Sequence, residues 1–365
     1  MGASLVQMRQ VLGPYEQVVA AFSRLGLPSR RIGTAPYGLD IYAYRVGEAG
    51  PTGMVTAGAH AEEVAGVATA YSLAARFQPG LQGWIVPCRD PLGWDGFRRN
   101  LARAVGRPVR IRSHHDVVEL IKREGEPILL GDVTVGIIDQ VAFFSLADSH
   151  PGNDDTGVFA HAFLSERDDV RERLLGKRVF VPGSPKLTQE RDVYDWGGGP
   201  TIYVDADGRV GNFNRFFAAE NPPVEVQILR AFADEVRPRW TLDLHEGFGA
   251  SYCLYALVGE SSVGKDAAKA MVDAVSARGY PIQSLKELAA YVGMDESAFE
   301  EIYPGVYQAN RRVRRPPDAF CPYVGQMGSL CFTTEMGMES PLDVRMEILE
   351  VSARACLEVL TRLEG

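Results

Sequence analysis

Gly53-Met-Val-Thr-Ala-Gly-Ala-His60-Ala-Glu-Glu63-Val64 is the stretch on which the fold turns. An apolar strand-like run, Met54–Ala57, gives way to small residues, a histidine and two acids, and then to a helix-like run, Val64–Phe77. An imidazole and a carboxylate three residues apart at such a junction can converge on one cation, because the helix behind them fixes their directions. Zinc accepts that nitrogen-plus-oxygen mixture, and a catalytic site needs a third protein ligand and an open position for water. Glu62 competes with Glu63 for the carboxylate role. The three-residue offset from His60 favours Glu63 and leaves Glu62 as a solvent-facing acid of the first helical turn. Alone the spacing is weak, since a capping carboxylate beside a histidine gives the same pattern.

Outward from this junction, strand and helix alternate. Residues 4–25 have helical periodicity, Leu39–Val46 alternates as a strand, and Gly83–Pro87 is a short apolar strand. Further on come a helix at Pro223–Val236, a strand at Trp240–Leu244, helices near Gly264–Arg278 and Lys286–Val292, a strand at Ser329–Thr334 and a closing helix, Leu342–Leu363. Such alternation predicts an α/β chain with a largely parallel or mixed sheet covered on both faces. Ligands gather at the carboxyl ends of its strands, where His60 lies. Between about 101 and 205 the pattern loosens into a helix-like His115–Arg123, strand-like runs at Ile128–Asp139 and Gln140–Ala147, and a polar turn at Asp148–Gly157. This reads as an insertion within one domain spanning 1–365.

Composition is that of a soluble globular protein, with 46% hydrophobic and 23% charged residues. A net charge of −9 argues against general affinity for nucleic acid or anionic membranes. There is no signal-peptide pattern and no apolar run of membrane-spanning length. The five cysteines, Cys88, Cys253, Cys321, Cys331 and Cys356, lack paired metal spacing and read as reduced thiols of a cytoplasmic protein. The oligomeric state is not legible.

Four further segments bear chemistry. Asp243-Leu-His245 ends an alternating strand. Asn214-Arg215 places a neutral donor beside a guanidinium suited to gripping a carboxylate with two hydrogen bonds. Arg98-Arg99-Asn100 supplies another cation after a Pro/Gly-marked segment, and Glu335 ends an apolar strand as a candidate proton-transferring carboxylate.

Taken in order, these landmarks resemble the zinc carboxypeptidase superfamily, which includes the aspartoacylase and succinylglutamate desuccinylase branch. The resemblance runs from about 53 to 340, most of the chain. It implies a mixed, roughly eight-stranded twisted sheet flanked by helices. It implies one zinc ion held by His60, Glu63 and His245, with Glu335 as general base. Arg99 would stabilise the oxyanion, with Arg98 as the adjacent alternative, and Asn214 and Arg215 would hold the substrate's carboxylate. Zinc lowers the pKa of its bound water to about 7, and a nearby carboxylate can accept the proton and deliver it to nitrogen.

The activity implied is hydrolysis of an amide bond next to a free carboxylate, by a carboxypeptidase acting on a small peptide or amino-acid conjugate. An aspartoacylase-type deacylase is the alternative, and a non-catalytic protein that captures acidic ligands is the third reading. Departures stand out. The usual Asp-Leu-Asn-Arg is here Asn212-Phe213-Asn214-Arg215, and 214 − 99 = 115 positions separate Arg99 from Asn214. The family tyrosine near the leaving group has three candidates, Tyr303, Tyr307 and Tyr323. The run Arg311-Arg-Val-Arg-Arg-Pro-Pro317 offers extra cations for an anionic substrate if it borders the pocket, and is a solvated loop if it faces outward.

Overall fold

The computed structural model describes residues 4–188, 192–197, 199–247, 249–310 and 317–363. In chain order the strands are β1 (Ser29–Ala35), β2 (Leu39–Val46), β3 (Thr52–Thr56), β4 (Gln82–Val86), β5 (Glu126–Leu130), β6 (Val133–Ile138), β7 (Val141–Leu146) and β8 (Lys177–Phe180). They continue with β9 (Thr201–Val204), β10 (Val210–Asn212), β11 (Trp240–Gly247), β12 (Tyr252–Leu257), β13 (Phe299–Tyr303), β14 (Val306–Ala309) and β15 (Leu330–Gly337).

Nine of them form the main sheet in the order β1-β2-β4-β3-β11-β15-β12-β14-β13. Its centre, β4-β3-β11-β15, is parallel, while the β1-β2, β2-β4, β12-β15 and β13-β14 pairs are antiparallel. The sheet is therefore mixed, with one strand more than the roughly eight that the resemblance implies. All eight residues of β11 are buried, as expected for a strand flanked on both edges and covered on both faces.

One face is covered by the helices Val64–Ala75, Ser262–Ser276 and Leu342–Leu360, whose apolar residues share a core with Leu242 and Leu244. The Val64–Ala75 helix is apolar nearly all round, with eleven buried residues from Val64 to Ala74, so it lies inside the molecule. Helices Pro91–Ala104, Val224–Val236 and Phe320–Gly325 contribute to the core on the other face.

The segment expected as an insertion, together with β10 just beyond it, builds a second sheet, β10-β9-β8-β7-β6-β5. Phe143 and Phe180 turn toward the main core, while Phe144 and Val179 pack against the Thr156–Glu166 helix. The run at Ile128–Asp139 is two antiparallel strands, because Gly131 adopts φ 64° and reverses the chain between them. No helix among the described residues is long and apolar enough to cross a membrane.

Candidate metal centre

β3 ends at Thr56, and Gly58 then adopts φ 60°, a left-handed turn open to glycine. A Cβ there would lie 3.0 Å from the Cα of Cys88, so glycine also permits the close approach of the segment after β4. The N–H of Arg89 donates to the carbonyls of Ala57 and Gly58, which pins the turn that carries His60. Glu63 follows as the residue before the Val64–Ala75 helix, and its carboxylate makes no cap bond to that helix. It is turned toward two imidazoles instead. His60 Nδ1 lies 2.6 Å from Glu63 Oε1, and His245 Nδ1 lies 3.2 Å from the same oxygen.

His245 is near the end of β11, and its backbone is held at N and O by the Thr334 hydroxyl at 3.1 Å each. Its Nε2 lies 2.9 Å from Asp243 Oδ2, two residues earlier and on the same face of the strand. Thr56 donates to the other oxygen of Asp243 at 2.6 Å.

One ligand atom from each of His60, Glu63 and His245 falls within 4.8 Å of the others, the one such group of potential metal ligands among the described residues. Zinc bonds of about 2.0–2.1 Å in a tetrahedron place neighbouring ligand atoms roughly 3.3 Å apart. The 3.2 Å spacing of Glu63 from His245 is close to that, the 2.6 Å spacing from His60 is a direct hydrogen-bond contact, and two nitrogens with one carboxylate are a donor set that zinc takes. The His60 side chain is 17% exposed against 3% for Glu63 and 2% for His245, so the cluster opens on the His60 side.

Electrostatics reinforce the cluster. Burial alone would raise the Glu63 carboxyl, but His245 and His60 bring it down to about 2. Burial would lower His245, yet Asp243 and then Glu63 hold it at about 10. Glu335 pairs with His245 across the parallel β11-β15 ladder, where partnered side chains share a face. Burial above all, with help from the Glu63 charge, pushes its carboxyl up to about 7 against the pull of His245, His60 and Arg215. A Cβ on Gly247 would sit 3.1 Å from Glu335 Oε2, so glycine there leaves the carboxylate room.

Glu62 departs from expectation. It is half-buried, its Oε2 has no hydrogen-bond partner among the described residues, and burial pushes its carboxyl up to about 7. The turn that aims Glu63 at the histidines leaves Glu62 facing inward as well.

The expected arginines separate. Arg99 bonds Glu16 at 2.8 Å on the Tyr15–Ser23 helix, and Arg98 bonds Asp192 at 2.9 Å. The Pro91–Ala104 helix kinks at Gly96, where φ is 76°. Asn100 stitches that kink by donating to the carbonyls of Leu92 and Gly96, and the two arginines beside it form outward ion pairs. The structure therefore does not bring Arg99 to the cluster.

Arg89 is there instead, 3.0 Å from His245 Nε2 and 3.2 Å from Asp243 Oδ2, with its guanidinium over the Phe320 ring at 5.2 Å. It lies on the side of the imidazole away from Glu63. Asn214 is also behind His245. It is 7% exposed, its Nδ2 lies 3.4 Å from His245 Nε2, and its Oδ1 accepts the Phe320 N–H at 3.0 Å. Among the described residues, Arg215 alone of the expected cations is exposed and bears on Glu335.

The three tyrosines are all engaged elsewhere: Tyr303 with Asp273 at 2.7 Å, Tyr307 with the Gln283 carbonyl at 2.6 Å, and Tyr323 with Asp234 at 2.8 Å. The arginine run at 311–315 lies outside the described residues.

No protein-family model matches this sequence, and no curated protein matches it. Among solved structures, a "putative metallopeptidase" from Shewanella denitrificans OS217 is similar over 96% of this chain and 90% of its own, with a TM-score of 0.51 at 13% identity. A metallo-carboxypeptidase from Burkholderia cenocepacia is similar over 94% of this chain and 67% of that one, with a TM-score of 0.48 at 11% identity. Murein-tripeptide amidase MpaA from Escherichia coli O157 is similar over 94% and 97%, with a TM-score of 0.38 at 12% identity. At such identities the likeness speaks for the fold alone, and of the three only the first exceeds a TM-score of one half. The mixed α/β architecture expected from the sequence is borne out.

Proposed function

We propose that this protein is a zinc-dependent hydrolase that cleaves an amide or peptide bond adjacent to a free carboxylate, as a carboxypeptidase acting on a small peptide or amino-acid conjugate. The observation that carries the reading is the convergence of His60, Glu63 and His245, from two distant parts of the chain, beside the strand position of Glu335. A divalent ion held there supplies Lewis acidity to the scissile carbonyl and to water.

The chain's own groups do the rest. Glu335 takes the proton of the attacking water and returns it to the leaving amine. In the metal-free cluster burial raises its carboxyl above the ordinary carboxylate range, the direction that helps such a group hold a proton it must later give up. Arg215, exposed beside this cluster, pairs with the substrate's carboxylate and orients the bond to be cut. Asp243 accepts from His245 Nε2 and is itself held by Arg89 and Thr56, while Asn214 is buried behind the ring with its Oδ1 taken by the Phe320 N–H. The oxyanion role expected of Arg99 passes to no other arginine in this reading. The 101–205 segment belongs to the same catalytic body, which the bonds from Arg178 on β8 to Asp90 and Glu225 support.

The test is hydrolysis of a panel of peptides and N-acyl amino acids before and after chelation, with Glu335→Gln beside wild type. Turnover should vanish on chelation and fall by about 10²–10⁴-fold in Glu335→Gln. Carboxamide analogues of any substrate should be much poorer. Cleavage confined to N-acyl amino acids would move the reading to an aspartoacylase-type deacylase. Bound zinc without turnover on any substrate would favour the capture of acidic ligands.

A further inference from the structure

Glu246 follows His245 on β11, so its side chain leaves the opposite side of the strand, where Gly66 of the Val64–Ala75 helix packs against the Leu244 backbone. The residue is 3% exposed. Its Oε2 accepts the backbone N–H of Ala65 at 2.6 Å, and its Oε1 accepts from Arg345 at 2.5 Å. Arg345, on the Leu342–Leu360 helix, is itself 1% exposed.

Ala65 is the second residue of its helix, and its N–H is one of the first four that have no partner within a helix. The residue placed to cap that end, Glu63, has its carboxylate committed to His60 and His245. A carboxylate from the neighbouring strand supplies the missing acceptor. It also places negative charge at the positive end of the helix dipole. Two consecutive residues of β11 thus engage the two ends of one junction: His245 meets the Glu63 side chain, and Glu246 holds the backbone two residues further on.

We infer that Glu246, held in place by Arg345, is a positioning residue for the metal centre. By capping the helix from the strand that carries His245, it fixes the separation of Glu63 from His245. The inference rests on the reading that these residues hold the ion. A buried ion pair with a merely structural role can be replaced by apolar residues with little change in stability. A positioning role makes a different demand, because the replacement then weakens the metal even where the fold survives.

The measurement is the zinc dissociation constant by chelator competition, with the thermal midpoint of the metal-free protein recorded alongside. In the double variant Glu246→Met, Arg345→Met, which removes both charges and the acceptor, zinc should bind about 10–100-fold more weakly, the range found when groups supporting a metal ligand are lost. In Glu246→Gln, Arg345→Met the amide oxygen can still accept the Ala65 N–H, and affinity should return close to wild type. Wild-type affinity in the Met/Met variant overturns the inference. Should that variant not fold, the Gln/Met variant decides, since a loss of tenfold or more with the acceptor retained also overturns it. Wild-type protein that binds no zinc is a different outcome, and it contradicts the metal reading itself.

Discussion

Glu63 lies between two imidazoles with 3% of its side chain exposed, and the charge states of the cluster follow from that burial. Its carboxyl titrates near 2, below the ordinary 4.5, so its contribution to stability is present above 4.5 and is lost as pH falls through 2. His245 is raised from 6.5 to about 10, so its contribution is complete below 6.5 and is lost as pH rises through 10. At pH 7 the metal-free His245 therefore carries a proton that ion binding must displace. Calorimetric titration with zinc at pH 7 in two buffers of different ionisation enthalpy should reveal release of about one proton or more per ion. The release should shrink as pH approaches 10. Heats that do not depend on the buffer would contradict this charge assignment. His60, Glu63 and His245 were legible as candidates because spacing and strand ends place them well. Arg89 was not, since nothing in Cys88-Arg89-Asp90 distinguishes a buried arginine from a surface one.

At the scale of elements, the legible parts are those with a strong period. Leu39–Val46 has the expected bounds, and the strand read at Trp240–Leu244 extends to Gly247, because polar Asp243, His245 and Glu246 hide a buried strand end. β1, with three exposed residues in its Ser-Arg-Arg start, carries too little apolar signal to be read as a strand. The helix expected across 4–25 breaks at Gly13-Pro14, before Tyr15–Ser23. Helix Thr156–Glu166 was hidden by its start in the Asp/Asn-rich turn. What no local pattern encodes is how closely the central helix lies on β11. A Cβ at Gly66 would come within 2.8 Å of the Leu244 carbonyl oxygen. Gly66→Ala should therefore destabilise by about 1–3 kcal/mol through overpacking, although alanine is the better helix former. Urea unfolding measures this, and a gain in stability would show that the helix is free to move away.

At the scale of the whole molecule the described strands form two sheets, and one buried arginine ties the second to helices that pack on the first. Arg178 on β8 bonds Asp90, which starts the Pro91–Ala104 helix, and Glu225, which lies in the first turn of the Val224–Val236 helix. Its guanidinium also lies over the Phe213 ring at 4.3 Å, just before Asn214. The sequence marked 101–205 as foreign to the main alternation but gave no sign of this tie, because the three charges are far apart in the chain. Arg178→Met leaves two buried carboxylates without their cation and should cost about 3–5 kcal/mol in denaturant unfolding. A loss below about 1 kcal/mol, the scale of an exposed pair, would mean that water reaches the triad.

All of this depends on His60, Glu63 and His245 gripping one ion together. Metal analysis of purified wild type and His245→Ala after zinc loading and desalting tests it most directly. The prediction is one zinc per wild-type chain and none retained by the variant. Stoichiometric zinc on His245→Ala, or a wild-type chain that holds none, would contradict the site.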